Sequence, residues 1–311
     1  MHPTLLYIIT GLQWGGEDAH LVTCALLLVD WLCYNSRVST LYLVATPIGN
    51  LKDITLRAIE VLKAVKLIAA EDTRRSRVLL KHHGIDTPLI SYHDHNKDSR
   101  EAQLMQALNE GDLALISDAG MPVVSDPGYE LVQRALARGH QVVPIPGASA
   151  PIAALSASGM PSDRFTFLGY MPRRREDRKE LLAPFRKRRE TIILFEVPHR
   201  LVESLADLSD ILGAERQAAV CRELTKLHED IRRGTLADLV EMLRKDAPPG
   251  EITLVIAGAP RGSDIWLEAD VKRALTECLD AGMSRSAAAR EVAGISGWKR
   301  QEVYQLSLEE A

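Results

Sequence analysis

Cysteine is scarce in this sequence, and its four cysteines stand far apart. Cys24, Cys33, Cys221 and Cys278 form no CxxC pair and join no His/Cys cluster at metal spacing. That pattern points to reduced thiols in a cytoplasmic protein without a metal centre. The chain also lacks a GxGxxG fingerprint, a GxxxxGK(S/T) phosphate loop and a GxSxG elbow, so NAD, nucleotide triphosphates and serine hydrolysis lose their usual support. Long apolar runs are missing too. The stretch Leu21 to Val29 is too short to span a bilayer, and Asp30 follows it at once. Glu17 and Asp18 occupy positions where a signal peptide carries positive charge. Neither membrane nor export is expected. Finally, a formal net charge of −4 leaves no excess of either sign, so any nucleic-acid binding has to come from local basic patches.

What is present is an ordinary globular composition, 46% hydrophobic and 26% charged over 311 residues, enough for two domains and a small appendage. Residues 1–39 carry Trp14, Trp31 and Cys33 without helical or strand periodicity. They are expected to be poorly packed and dispensable, with Val38 a start if its codon is GTG. From Leu41 the pattern is regular. Leu41 to Ala45 reads as a buried strand ending in TPIGN, Thr46 to Asn50, where Pro47 and Gly49 break the pattern. Asp53 is placed to cap a helix with apolar Leu56, Ile59, Leu62 and Val65. Leu67 to Ala70 ends in EDTR, Glu71 to Arg74, and Pro88 to Tyr92 ends in HDHN. Leu113 to Ile116 ends in SDAGMPVVSDPG, Ser117 to Gly128, and Gln141 to Ile145 ends in PGAS. Strands alternating with helices imply a parallel sheet with right-handed crossovers, whose ligands bind beyond the carboxyl ends of the strands.

After Gly159 the pattern restarts, with a linker expected at Met160 to Asp163 and a first domain of residues 40–160. Phe165 to Leu168 leads to Gly169 and Tyr170; Thr191 to Phe195 leads into EVPHR, Gln217 to Cys221 into RELTK, and Ile252 to Ile256 into AGAP. These place a second α/β domain at residues 161–262. Strand tips that are polar or glycine-rich in both domains suggest a shared cleft. From Trp266 to Ala311 no strand signal remains; three short helices, with Ser284 and Ser286 as caps and Gly294 to Gly297 in a turn, read as a helix-turn-helix-like unit over residues 265–311. The strongest local charge is Pro172 to Glu180 with Arg186 to Glu190, which together hold Arg173, Arg174, Arg175, Arg178, Lys179, Arg186, Lys187, Arg188 and Arg189. Such runs supply phosphate contacts without sequence preference. His93, Asp94 and His95 lack a further ligand and read as solvated loop residues rather than a metal site.

Taken in order, LYLVATPIGNLKDITLRAIEVL, AAEDTR, SDAGMPVVSDPG, PGAS, FEVPHR and CRELTKLHED resemble the ribosomal RNA small subunit methyltransferase I family, from about Leu41 to the C-terminus. The resemblance implies an α/β, two-domain, tetrapyrrole-methylase-like fold with an interdomain cofactor cleft and a small C-terminal helix-turn-helix-like unit. It implies S-adenosylmethionine as donor, the ribose 2′-hydroxyl of a cytidine in 16S ribosomal RNA as acceptor, the small ribosomal subunit as partner and a homodimer as assembly. Its cofactor set maps onto Pro47, Gly49, Asp118, Ala119, Gly120, Met121, Val123, Ser149, Ala150, Leu168, Ala257 and Gly258. EDTR, VPHR and RELTK become the motifs for RNA and catalysis. The donor is already activated, so the protein has to align the attack and help a poor acid lose its proton. Glu71, Asp72, Glu196, Glu223 and Lys226 are the candidate bases, and Arg74, His199 and Arg200 the phosphate grips. A methylase for a tetrapyrrole or another small molecule is the alternative, disfavoured by the basic runs and the helical appendage. A nucleic-acid-binding regulator with a dead methylase domain is disfavoured by Asp118 and EDTR.

Overall fold

A computed structural model describes residues 38–93, 96–245, 249–260 and 268–309. Residues 1–37 of the segment expected to be loosely packed, Asp94 and His95 of HDHN, and Trp266 lie outside the described residues. The chain divides after Ala148 into two compact units.

The first unit is built on a parallel sheet in the order β3-β2-β4-β1-β5. Its strands are β1 (Thr40–Val44), β2 (Leu67–Ala70), β3 (Leu89–Ser91), β4 (Leu113–Ile116) and β5 (Gln141–Ile145). The helices between them are α1 (Leu56–Ala64), α2 (Thr73–His82), α3 (Lys97–Glu110) and α4 (Tyr129–Ala137). Central β4, the sequence LALI, is buried at every position, because helices cover both faces of a parallel sheet. Pro144 lies in β5, where pairing with β1 alone spares its missing N–H. Ala58 and Leu62 of α1 and Leu80 of α2 pack on one face of the sheet. Leu104 and Leu108 of α3 and Leu131 and Ala135 of α4 pack on the other. Neighbouring strands β1 and β4 therefore send the chain to opposite faces. That is the switch point at which open α/β sheets form a crevice beyond the strand ends.

Two local expectations need correction here. Asp53 ends a short 3₁₀ turn, Leu51–Asp53, and the extended residue Thr55 caps α1 instead, its hydroxyl accepting the Ala58 N–H at 3.1 Å. Leu56, expected on the apolar face with Leu62, is 80% exposed.

The second unit opens with α5 (Ala150–Ser158) and continues through β6 (Phe165–Tyr170), α6 (Arg175–Leu182), β7 (Thr191–Glu196) and α7 (Leu201–Leu212). It then runs through β8 (Gln217–Arg222), β9 (Asp230–Thr235), α8 (Leu236–Lys245) and β10 (Ile252–Ile256). The division falls at Ser149 rather than at the expected Met160 to Asp163, because α5 packs on β7, β8, β9 and β10. The sheet order is β6-β7-β10-β8-β9, and only β6 and β7 run parallel. Alternation of strands and helices in the sequence thus does not produce a parallel sheet here. Strand β9, DIRRGT, carries one large apolar residue and was not expected; among the described residues it pairs only with β8, at the sheet edge, where a strand needs no buried run. Leu182, Leu201, Leu205, Leu239 and Leu243 from the helices meet Ile192, Val220 and Leu254 from the sheet.

At the C-terminus α9 (Glu268–Asp280), α10 (Arg285–Ser296) and α11 (Arg300–Glu309) share a small core of Val271, Leu275, Ala288, Ala289, Val292 and Val303. The Ser284 hydroxyl caps α10 by accepting the Ala287 N–H, and Gly297 closes that helix with φ 72°. Ser286 does not cap; its hydroxyl accepts from Arg300 Nη2 at 3.0 Å. Among the described residues no helix is long and apolar enough to cross a membrane.

Candidate active site

At the crevice of the first unit, the loops leaving β1 and β4 are tied together. Thr46 and Gly120 exchange backbone hydrogen bonds at 2.9 and 3.0 Å, and the Thr46 hydroxyl donates to the Ser117 carbonyl at 3.1 Å. Gly120 holds φ +81°, open to glycine at little cost. The loop continues through Val123 at φ +76° and Ser125 at φ +64°. A β-branched residue in that region is strained, and such strain concentrates at functional sites. Pro47, Gly49, Ala119 and Met121 lie in these same two loops. Asp118 joins them to the end of β2: its Oδ1 accepts the Asp72 N–H at 3.0 Å, and its Oδ2 pairs with Arg75 at 3.2 Å. The Asp118 N–H in turn reaches Glu71 Oε2 at 3.5 Å. Asp72 caps α2 and is gripped by Arg74, whose hydrogen bonds lower its pKa to about 2; so low a carboxyl is a weak base.

Sequence reasoning passed over Asp126 in this loop. Burial pushes its carboxyl up to about 6; the Ser117 hydroxyl opposes the shift, and the charges of Glu71 and Asp118 add to it. Its only sequence signal was a place in a Pro/Gly turn, which says nothing of the carboxylates that the fold brings beside it.

In the second unit, Glu196 ends β7 and is 2% exposed. It accepts the Val197 N–H at 2.7 Å, the Ser204 hydroxyl, and Arg200 Nη2 at 2.7 Å. With both oxygens engaged it anchors the turn Pro198–Arg200, which leaves His199 exposed. Glu223 stands at φ +49° and accepts Lys226 Nζ at 2.9 Å and the Glu251 N–H at 2.8 Å, which hold its carboxyl low. Burial disfavours the Lys226 charge, but Glu223 and Glu251 outweigh burial and raise its pKa. That ammonium keeps its proton. Ser149 precedes α5 and Ala150 begins it. Leu168 is partly buried against the core of the unit. Ala257 and Gly258 follow β10, and a Cβ on Gly258 would lie 1.9 Å from the Arg189 carbonyl oxygen. Close approach of the backbone at Arg189 is thus one reason for this glycine.

The basic runs separate into two kinds of residue. Arg178 is fully buried, donating to Asp207 Oδ2 at 2.6 Å, to the Arg173 carbonyl at 2.7 Å and to Glu203. Arg175 pairs with Asp207 at 2.8 Å and Asp210 at 3.0 Å. These two are structural, contrary to the reading of the whole run as a phosphate surface. Arg173, Arg174, Lys179, Arg186, Lys187, Arg188 and Arg189 remain exposed. Among the described residues no group of His, Cys, Asp and Glu could hold a metal ion. Burial pushes the Cys221 thiol up to about 11, so it is no nucleophile.

This fold is that of the tetrapyrrole methylase class. The family model for Tetrapyrrole (Corrin/Porphyrin) Methylases matches residues 40–240, and that for the RsmI C-terminal HTH domain matches residues 267–311. The fold is also similar to a solved diphthine synthase (TM-score 0.58, 17% identity, 70% of this chain and 90% of that one). A uroporphyrin-III-C-methyltransferase from Thermus thermophilus is similar too (TM-score 0.52, 22% identity, 70% and 94%). Much closer in sequence are proteins named ribosomal RNA small subunit methyltransferase I. That from Synechocystis sp. is 48% identical over 86% of this chain and 97% of its own. That from Mesorhizobium japonicum is 49% identical over 86% and 91%, and that from Escherichia coli O157:H7 is 43% identical over 87% and 95%. The chain belongs to the ribosomal RNA small subunit methyltransferase I family.

Proposed function

We propose that this chain transfers a methyl group from S-adenosylmethionine to the ribose 2′-hydroxyl of a cytidine in 16S ribosomal RNA of the small subunit, acting in the cytoplasm as a homodimer. The observation that carries the reading is kinship: relatives at 48–49% identity, named as ribosomal RNA small subunit methyltransferases, match this chain over more than nine-tenths of their own length. Likeness to a tetrapyrrole enzyme, at 22% identity, speaks for the fold alone.

The crevice of the first unit suits the donor. S-adenosylmethionine carries a sulfonium and an ammonium, and the loops beyond the strand ends gather Glu71, Asp118 and Asp126; burial raises the Asp126 pKa, and repulsion from Glu71 and Asp118 adds to the rise. A cation relieves that repulsion. Pro47, Gly49, Asp118, Ala119, Gly120, Met121 and Val123 would hold the donor in the first unit; the second unit's assigned contacts are Ser149, Ala150, Leu168, Ala257 and Gly258. When bound, the donor supplies a methyl group already activated on sulfur. The residues of the chain then have to fix the ribose and take a proton from its hydroxyl. Asp72, its carboxyl held low, and Lys226, its ammonium held charged, are poor bases, and we assign proton acceptance to the carboxylates Glu71 and Asp126, whose charges meet beside Asp118 at the end of the first sheet. Arg74, His199 and Arg200 are assigned to phosphate, together with the exposed arginines and the helical unit at the C-terminus.

The test is methylation of small-subunit ribosomal RNA with a labelled donor, followed by alkaline digestion. A 2′-O-methyl blocks cleavage of the next phosphodiester, so label should appear in an alkali-resistant dinucleotide with cytidine on its 5′ side. Label on a base, or label on a tetrapyrrole and none on RNA, overturns the reading. Light scattering that gives a monomer at micromolar concentration removes the homodimer.

A further inference from the structure

Strand β6 lies at the edge of the second sheet and ends in a ring that the core does not take. The register of β6 on β7 shifts between Phe167 and Tyr170, and Gly169 takes φ +71° at the irregularity. Tyr170 is thereby turned outward and is 57% exposed. Its ring is nonetheless held: it lies tilted on Phe195 with centroids 5.3 Å apart, and Phe195 meets Phe167 edge to face at 5.0 Å. The chain beyond Tyr170 is pinned as well. Met171 N donates to the Phe195 carbonyl at 3.0 Å, and buried Arg178 donates to the Arg173 carbonyl at 2.7 Å. Exposed Arg173 and Arg174 therefore leave a fixed backbone within four residues of an exposed, backed aromatic ring. Because β6 and β7 are parallel and Tyr170 pairs with Phe195, the ring stands at the same sheet end as Glu196 and the turn Pro198–Arg200.

We propose that Tyr170, supported by Phe195, is a stacking platform for an unpaired nucleobase of the RNA substrate, and that Arg173 and Arg174 take the phosphates beside that base. The inference rests on the RNA reading above and adds the element that positions the nucleotide. Bases taken out of a helix are recognised by stacking on aromatic rings, and the flanking phosphates by guanidinium groups. A ring already immobilised by neighbours loses little freedom on binding. Charge decides the occupant: two exposed guanidinium-bearing side chains within four residues of the ring suit a polyanion better than an apolar protein face.

The experiment uses the full chain and a single-stranded ribo-oligonucleotide carrying one 2-aminopurine, whose fluorescence falls when the base stacks. The parent chain should quench it. Tyr170→Ala should bind the probe about tenfold more weakly or worse and lose the quench, while Tyr170→Phe and Tyr170→Trp keep both. With small-subunit ribosomal RNA as substrate, Tyr170→Ala should raise KM by a similar factor, with donor affinity by calorimetry and the melting temperature close to the parent's. Equal probe affinity and quench in Tyr170→Ala overturn the platform. So does a loss that appears only together with dissociation of the chain in sedimentation, which makes the ring a contact between copies. If the parent itself binds no RNA at low salt while still binding the donor, it is the RNA reading that falls.

Discussion

Asp118 Oδ1 accepts the backbone N–H of Asp72 across 3.0 Å, so the end of β4 and the end of β2 are fastened by one carboxylate. Its other oxygen meets Arg75 at 3.2 Å. Asp118→Ala removes both links and leaves the Asp72 N–H without its partner, at a stability cost of about 1–3 kcal/mol. Donor affinity measured by calorimetry should fall at least about tenfold, since the carboxylate field and the loop position are lost together. Asp118→Asn keeps an acceptor for the Asp72 N–H and should retain most of the stability while still losing affinity. An Asp118→Ala chain that stays folded and binds donor as tightly as its parent removes this crevice from the donor site.

Gly258 is a second position at which sequence suggests a ligand and packing supplies its own reason. A Cβ there lies 1.9 Å from the Arg189 carbonyl oxygen, and the next residue, Ala259, donates its N–H to Arg188 at 2.8 Å. Gly258→Ala forces backbone apart from backbone and should cost about 3 kcal/mol or more, read as a lower midpoint in urea. The contrast is Gly139→Ala, where among the described residues no atom beyond the chain neighbours lies within 4 Å of the new Cβ; its cost comes from φ +79°, about 1 kcal/mol.

The parts of this molecule that were legible in its sequence are those set by local pattern. Strand β4 announced itself because both of its faces are covered, and the loop after it because Gly120, Pro122 and Gly128 have few other uses. Strand β9 was not legible: one large apolar residue among Asp230 to Thr235 is enough at a sheet edge, and its pairing with β8 is tertiary. The placement of β10 between β7 and β8 likewise reflects contacts between distant segments. Arg178 stood in a charge run and gave no sign of being the one turned inward, because Asp207, the residue that makes burial tolerable, is 29 positions away.

Asp126 makes stability depend on pH in an unusual sense. Its folded-state pKa, about 6, lies above the ordinary 3.8, so the folded protein binds its proton more tightly than the unfolded chain does. The stability this contributes is complete below pH 3.8 and is lost as pH rises through 6. Asp126→Asn keeps a neutral group of the same shape and should therefore raise the melting temperature relative to the parent above pH 6, with the difference closing toward pH 4. If Asp126 shares in proton acceptance, the same variant should lose turnover at pH 7 while gaining stability. A melting temperature difference that does not change with pH would show that Asp126 ionises like an ordinary surface carboxylate.

Arg178 and Arg174 lie four residues apart and should fail in different ways. Arg178→Met strips Asp207 of its buried partner and should destabilise the fold by about 3–5 kcal/mol, measured by urea unfolding. The salt dependence of RNA affinity should be unchanged in the fraction that remains folded. Arg173, Arg174 and Lys187 are exposed, and replacing all three by Gln should leave the urea midpoint within about 0.5 kcal/mol of the parent. RNA affinity should fall, and the slope of its logarithm against the logarithm of salt concentration should flatten by about 0.7 for each contact removed from single-stranded RNA, because fewer counterions are released on binding. Donor affinity should not move. Arg175 is left out of the triple because Asp207 and Asp210 already hold it, so its loss would mix folding with binding. A triple variant that keeps the parent's salt slope would show that these side chains never reach the phosphates, and would transfer the burden of RNA binding to Arg186, Arg188, Arg189 and the C-terminal helices.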